Sequence, residues 1–141
     1  MTTSFLSSVE AVKAEINKVV ATHPYLGAYG WKHKGDDKIF EESRRQMLSD
    51  DFAIQVTAAI MFIKRQCKAL SDNYGYYSSY CLKHKAEHFY RTVEDLEIYI
   101  SNGALITAAI ILSIPATAIR NTPNCTIQVE LTKEGEQWPS M

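Results

Sequence analysis

Between Phe52 and Leu70 the apolar residues recur at helical spacing: Phe52, Val56, Ile60 (or Ala59), Ile63, Cys67 and Leu70. Ile54, Ala58, Met61 and Phe62 add apolar side chains to the remaining faces of its first three turns. A helix that is hydrophobic nearly all round must be covered on all sides, so this one is expected at the centre of the fold. Ser49-Asp50-Asp51 supplies its start, and Lys64, Arg65 and Lys68 sit at the negative end of its dipole. Ala104 to Ser113 makes a second helix with almost no polar side chain, capped by Asn102 and stopped by Pro115. The expected fold is therefore mainly α. Five to six helices pack around a central helix (52–70) and a buried helix (104–113), with a minor β element near the C-terminus (125–131).

The other elements follow from local signals. Ser7-x-x-Glu10 has the spacing of a capping box, and Val9, Val12, Ile16 and Val19 then define the apolar stripe of a first helix that Pro24 ends. Tyr25 to Gly35 holds three glycines and reads as a structured loop or a short strand. Asp36-Asp37 opens a short helix in which Glu41 and Arg45 form an i,i+4 pair. Ser71 to Gly75 is a turn; Ser78 or Ser79 caps a helix to about Arg91; Thr92 with Asp95 starts another through Ile100. Cys125, Ile127, Val129 and Leu131 alternate with polar residues as in a half-buried strand, and 133–141 reads as a polar tail.

A chain of 141 residues fits one domain, 1–141, with no repeat or linker. Lys plus Arg number 15 and Asp plus Glu 16, leaving a net charge of −1, so no global field draws the chain to nucleic acid or anionic lipid. Three widely spaced cysteines, Cys67, Cys81 and Cys125, contain no CxxC pair and form neither a disulfide framework nor a zinc pattern; free thiols and a reducing cytoplasm are expected. The uncharged run from Ile98 to Ile119 has the length of a membrane span, but Ser101-Asn102-Gly103 and Pro115 interrupt it, and no basic cluster flanks it. No membrane association and no signal peptide are expected.

Residues able to carry chemistry gather between Tyr74 and Arg91. His84-Lys85-Ala86-Glu87-His88 matches H-x-x-E-H, which on a helix puts two imidazoles one turn apart with a carboxylate beside them. A zinc site of that type needs a third ligand from another element, and downstream only Glu130, Glu134 and Glu136 are on offer, so no metal and no cofactor are expected. Tyr80, His84, Glu87 and Arg91 line one helical stripe. It is either a binding surface or a solvated face in which Glu87 and Arg91 pair. Tyr74 to Tyr80 packs four of the eight tyrosines into seven residues, a composition shared by recognition loops and by rings that roof a core. A Cys81–His84 or Cys81–His88 pair has the spacing of a nucleophile and base but no orienting third group. Candidate binding residues are Tyr76, Tyr77, Tyr80, His84, Glu87, His88 and Arg91; no catalytic residue is assigned.

Three segments carry a resemblance: Ser79-Tyr80-Cys81-Leu82-Lys83-His84-Lys85-Ala86-Glu87, Tyr99-Ile100-Ser101-Asn102-Gly103-Ala104-Leu105-Ile106-Thr107-Ala108-Ala109, and Thr122-Pro123-Asn124-Cys125-Thr126-Ile127. They resemble small uncharacterised accessory proteins of phages, plasmids and integron cassettes that carry S-Y-x-L-K-H-x-x-E, Y-[IV]-S-N-G-x-x-I-x-A-A and P-N-x-x-x-[IV] motifs. That resemblance implies an accessory protein of a mobile element with these motifs joined in one fold, and supplies no catalytic residue. The expected function is a non-enzymatic protein-binding module. The alternatives are a small metal-dependent hydrolase on His84, Glu87 and His88, and a nucleic-acid binder using Tyr76, Tyr77, Lys83, Lys85 and Arg91. A homodimer is expected because the strand 125–131 finds no full partner within the chain, and a buried unpaired backbone group costs about 1–3 kcal/mol.

Overall fold

The computed structural model describes residues 2–33, 35, 37–68 and 75–140, with side chains given outside 2–8, 75 and 76. The expected end of the long helix at Leu70, the turn 71–74 and Tyr74 lie outside the described residues, as does the side chain of Tyr76. Among the described residues the chain forms six helices, a two-stranded hairpin and a small four-stranded sheet. In order these are α1 (Thr2–Thr22), β1 (Leu26–Gly27), β2 (Gly30–Trp31), α2 (Asp37–Gln46), α3 (Asp50–Gln66), β3 (Cys67–Lys68), β4 (Gly75–Ser78), α4 (Ser79–Val93), α5 (Asn102–Ile111), β5 (Ala116–Ala118), β6 (Cys125–Leu131) and α6 (Lys133–Glu136). No helix among them is long and apolar enough to cross a membrane.

Ser49 caps α3 as its sequence signalled, its hydroxyl accepting from Phe52 N at 3.1 Å. Phe52, Val56, Ala59, Phe62 and Ile63 are buried against α1, α4 and α5. Ile54 and Met61 are exposed, so α3 keeps one wet face where covering on every side was expected. α5 is buried from Asn102 to Ala109. Its cap is Ser101, not Asn102: the Ser101 hydroxyl accepts from Ala104 N at 3.1 Å, which frees the Asn102 amide for other work.

Two helix assignments shift. α1 already runs from Thr2, so the Ser7-x-x-Glu10 spacing lies inside the helix and does not mark its start. Glu94 to Ser101, expected in part as a helix through Ile100, has no regular structure. Asp95 adopts a left-handed φ of 51°, which Asp tolerates better than most residues, and α4 does not continue through it. In α2 the ion pair is Glu42–Arg45. Arg44, which carried no signal in the sequence, donates to the carbonyls of Val20, His23 and Leu26 at 2.7–2.9 Å and ties the end of α1 to α2.

The strand 125–131 is where expectation and structure part most clearly. β6 pairs antiparallel with β4 (Tyr77 opposite Ile127) on one side. On the other it pairs with β5 (Thr117 opposite Thr126) and, further along, with β3 (Cys67 opposite Leu131). Its partners come from its own chain, so the unpaired backbone that motivated a homodimer does not exist. The partner strands are two to four residues long, too short to show a period in sequence.

The C-terminal segment is anchored, not a free polar tail. Trp138 is buried; its indole N–H donates to Gln66 Oε1 at 3.1 Å, and its ring meets Phe89 edge-on. The three segments behind the family resemblance also meet. Asn102 Nδ2 donates to Pro123 O (3.0 Å) and Asn124 Oδ1 (2.9 Å), and Cys125 N donates to the Ser79 hydroxyl (3.0 Å). Gly103 brings the start of α5 against the β1–β2 hairpin, with its N–H on Ala28 O at 3.0 Å. A Cβ at Gly103 would lie 2.0 Å from Gly27 O.

Candidate functional site

The row Tyr80, His84, Glu87, Arg91 does not lie bare. An open groove of about 610 Å³ runs along it, lined on α4 by His84, Glu87, His88 and Arg91 and opposite by Glu97, Ile98 and Tyr99. The opposite wall is the chain after Asp95, which runs back along the helix it has just left, with Leu96 N–H on Tyr90 O at 3.0 Å.

Glu87 organises the groove floor. Its side chain is only 12% exposed, and both oxygens are engaged. Oε2 accepts the Ile100 N–H at 3.0 Å, and Oε1 lies 3.1 Å from His84 Nδ1 and 3.7 Å from Lys83 Nζ. Lys83 Nζ in turn donates to the Ile100 carbonyl at 3.1 Å and lies 4.7 Å from the centre of the Tyr99 ring. One helix thus holds both polar groups of a single peptide residue. The expected Glu87–Arg91 pair is absent; Arg91 Nε meets Glu97 at 3.1 Å instead. The middle of the row, His84 and Glu87, is largely covered by the returning segment, whereas Tyr80 and Arg91 at its ends stay exposed.

Since the Glu87 carboxylate faces His84 Nδ1, that nitrogen carries the proton of the neutral ring. His84 Nε2 is buried with no hydrogen-bond partner among the described residues, and the Tyr80 ring stands edge-on to the imidazole at 4.5 Å. Burial lowers the proton affinity of His84 below the ordinary histidine value; Lys83 adds to this, and Glu87 opposes both. The Tyr99 phenol is pushed up by burial and by Glu87, so it stays neutral at physiological pH.

Of the residues singled out by sequence, His84, Glu87, His88 and Arg91 come together in the groove and Tyr80 stands at its end. Tyr77 is half-buried on β4, where its ring packs against the core, away from the groove residues. Lys83 and Lys85, read as part of a basic surface, are both buried. The Lys85 ammonium donates to the carbonyls of Trp138 (2.6 Å) and Glu136 (3.2 Å). Sequence reasoning missed Glu97, Ile98 and Tyr99, since a helix over that stretch would have carried them away from α4. Among the described residues no three His, Cys, Asp or Glu side chains are grouped to hold a metal ion. Cys67, Cys81 and Cys125 are free thiols; burial pushes Cys67 up to about 12 and Cys125 to about 11. No family model, curated protein or solved structure matches this chain.

Proposed function

We propose that this chain is a non-enzymatic protein-binding module, an accessory protein of a mobile element acting in the cytoplasm, and that it engages its partner through the groove face. The observation that carries this reading is a pair of exposed aromatic rings at the groove. Tyr99 lies in its wall and Tyr80 stands edge-on to His84, each more than two-fifths exposed, and Leu96 is exposed as well on the segment that returns over α4. Exposed aromatic and aliphatic anchors beside paired charges are the anatomy of a protein interface. The basic row that a nucleic-acid surface would use loses Lys83 and Lys85 to the interior. A hydrolase on His84, Glu87 and His88 would need His84 Nδ1 or Nε2 for a metal, and the first faces Glu87 while the second is enclosed. The frame behind the groove is read as α5 with α3 as the central helix.

The partner assigned first is a second copy of the chain. Arg91 and Glu97 lie side by side on the groove rim, so a two-fold axis beside them lets each reach its opposite on the other copy. The net charge of −1 opposes such pairing little. Light scattering at micromolar concentration tests it. The wild type should give about twice the 15.9 kDa of one chain, and Leu96→Ser/Tyr99→Ser should fall to one chain. A wild type that stays at one chain mass up to millimolar concentration overturns self-association through this face.

A further inference from the structure

The groove's far wall enters the core at one residue. Glu94 to Tyr99 has no regular structure, and Ile100, fully buried, is where it enters the core; Ser101 then caps α5 and donates its N–H to Gln55 Oε1 at 2.9 Å. The polar groups of Ile100 are held by side chains one helical turn apart, the N–H by Glu87 Oε2 and the C=O by Lys83 Nζ. Between them sits His84, whose Nδ1 rests on the other oxygen of the same carboxylate. Ile100 is thus fixed to α4 by Glu87 and Lys83, with His84 acting on the same carboxylate, while Leu96 N–H on Tyr90 O (3.0 Å) and Glu97 on Arg91 hold the earlier part of the segment.

We propose that Lys83, His84 and Glu87 form a proton-sensitive latch that clamps the 94–101 segment to α4 at neutral pH and releases it on acidification, opening the groove. The neutral ring satisfies the arrangement: Nδ1–H faces a carboxylate, and the enclosed Nε2 carries only a lone pair. A proton on Nε2 makes it a donor with no acceptor in reach, next to the Lys83 ammonium, which is itself buried. An unmade charged donor in an enclosed site is more costly than an unmade acceptor. Relief requires the ring to turn outward, which removes its contact with Glu87. The groups around His84 are Lys83, Glu87, His88, Arg91 and Tyr80 on its own helix and, across the groove, Glu97 and Tyr99. Glu87 alone among them favours the proton strongly by contact, and burial with Lys83 outweighs it, so the ring's titration lies below the ordinary range.

The latch takes its purpose from the protein-binding reading of the groove, but its mechanism belongs to the free chain and is tested there. Amide exchange of Ile100 is read by NMR at pH 7.5 and 5.5 and corrected for the intrinsic pH dependence of exchange. An imidazole freed by opening regains its ordinary value of about 6.5, so the open state should gain about tenfold between those pH values. The expected result is a fall in Ile100 protection approaching that factor in the wild type. His84→Gln, which keeps a donor for Glu87 and cannot titrate, should hold the neutral-pH protection at both values. Unchanged protection in the wild type, or an equal fall in His84→Gln, overturns the latch. If His84→Gln does not fold, the wild-type His84 ring resonance decides: a midpoint below 6.5 supports the latch, and one at or above 6.5 overturns it. A monomer in light scattering would remove the proposed function and leave these readouts intact; flat exchange would remove the latch and leave the interface intact.

Discussion

Replacing Lys85 by Met tests whether the C-terminal segment is part of the folded unit. The Lys85 ammonium, on a residue only 8% exposed, donates to Trp138 O at 2.6 Å and Glu136 O at 3.2 Å, and no carboxylate among the described residues pairs with it. Met keeps most of the stem packing and deletes both donors. Hydrogen bonds from a charged donor contribute about 1.5–3 kcal/mol each, and a buried carbonyl left unpaired costs about 1–3 kcal/mol. Two effects offset this: the Glu136 carbonyl belongs to an exposed residue and can be hydrated, and a buried ammonium is no longer desolvated on folding. The net expected loss is about 1–2 kcal/mol, or roughly 3–8 °C in Tm for a domain of this size. The assay is guanidinium unfolding followed by Trp138 fluorescence in a Trp31→Phe background, since the chain has two tryptophans. The loss should come with a red-shifted native emission as the indole loosens from Gln66 and Phe89. A variant as stable as the parent with unchanged emission would refute the reasoning and return 133–141 to a passive tail.

Three further outcomes are expected. Gly103→Ala should leave little folded protein by circular dichroism, because the new Cβ meets the backbone of Gly27 and Ala28 at 2.0–2.6 Å and neither chain can withdraw without breaking the Gly103–Ala28 hydrogen bond. Arg44→Lys should destabilise by about 2–3 kcal/mol in urea unfolding despite conserving the charge, since one ammonium cannot serve three diverging carbonyls at the end of α1. Thiol titration of native protein at pH 8 should find Cys81 reacting first; Cys67, pushed up to about 12, and Cys125, to about 11, hold almost no thiolate there, and equal rates at all three would contradict their burial.

Several elements were legible from sequence because they depend on residues within one or two turns of each other. The cap at Ser49, the apolar stripe of α3, the buried run of α5 and the alternation in β6 are local patterns, and local sterics and periodicity decide them; α5 ends at Ile111, ahead of the expected stop at Pro115, with Ser113 left-handed at φ 60°. The cluster His84, Glu87, His88, Arg91 was legible on the same ground, as a helical face. What that face does was not. Whether Glu87 pairs with Arg91 or takes the Ile100 N–H depends on a segment that returns after the left-handed Asp95, and propensity alone favoured a helix there. Lys83 and Lys85 read as surface charges because a lysine in a helix says nothing about which carbonyls will surround it. The pairing of β6 depends on strands of two to four residues, β5 just before it and β3 and β4 far upstream, each too short to show a period. Sequence by itself determined the helices, their apolar faces and the candidate residues, since those rest on local spacing. Tertiary structure decided the groove, the buried lysines, the anchored C-terminus and the partners of the strand, because each depends on backbone groups brought together from far along the chain.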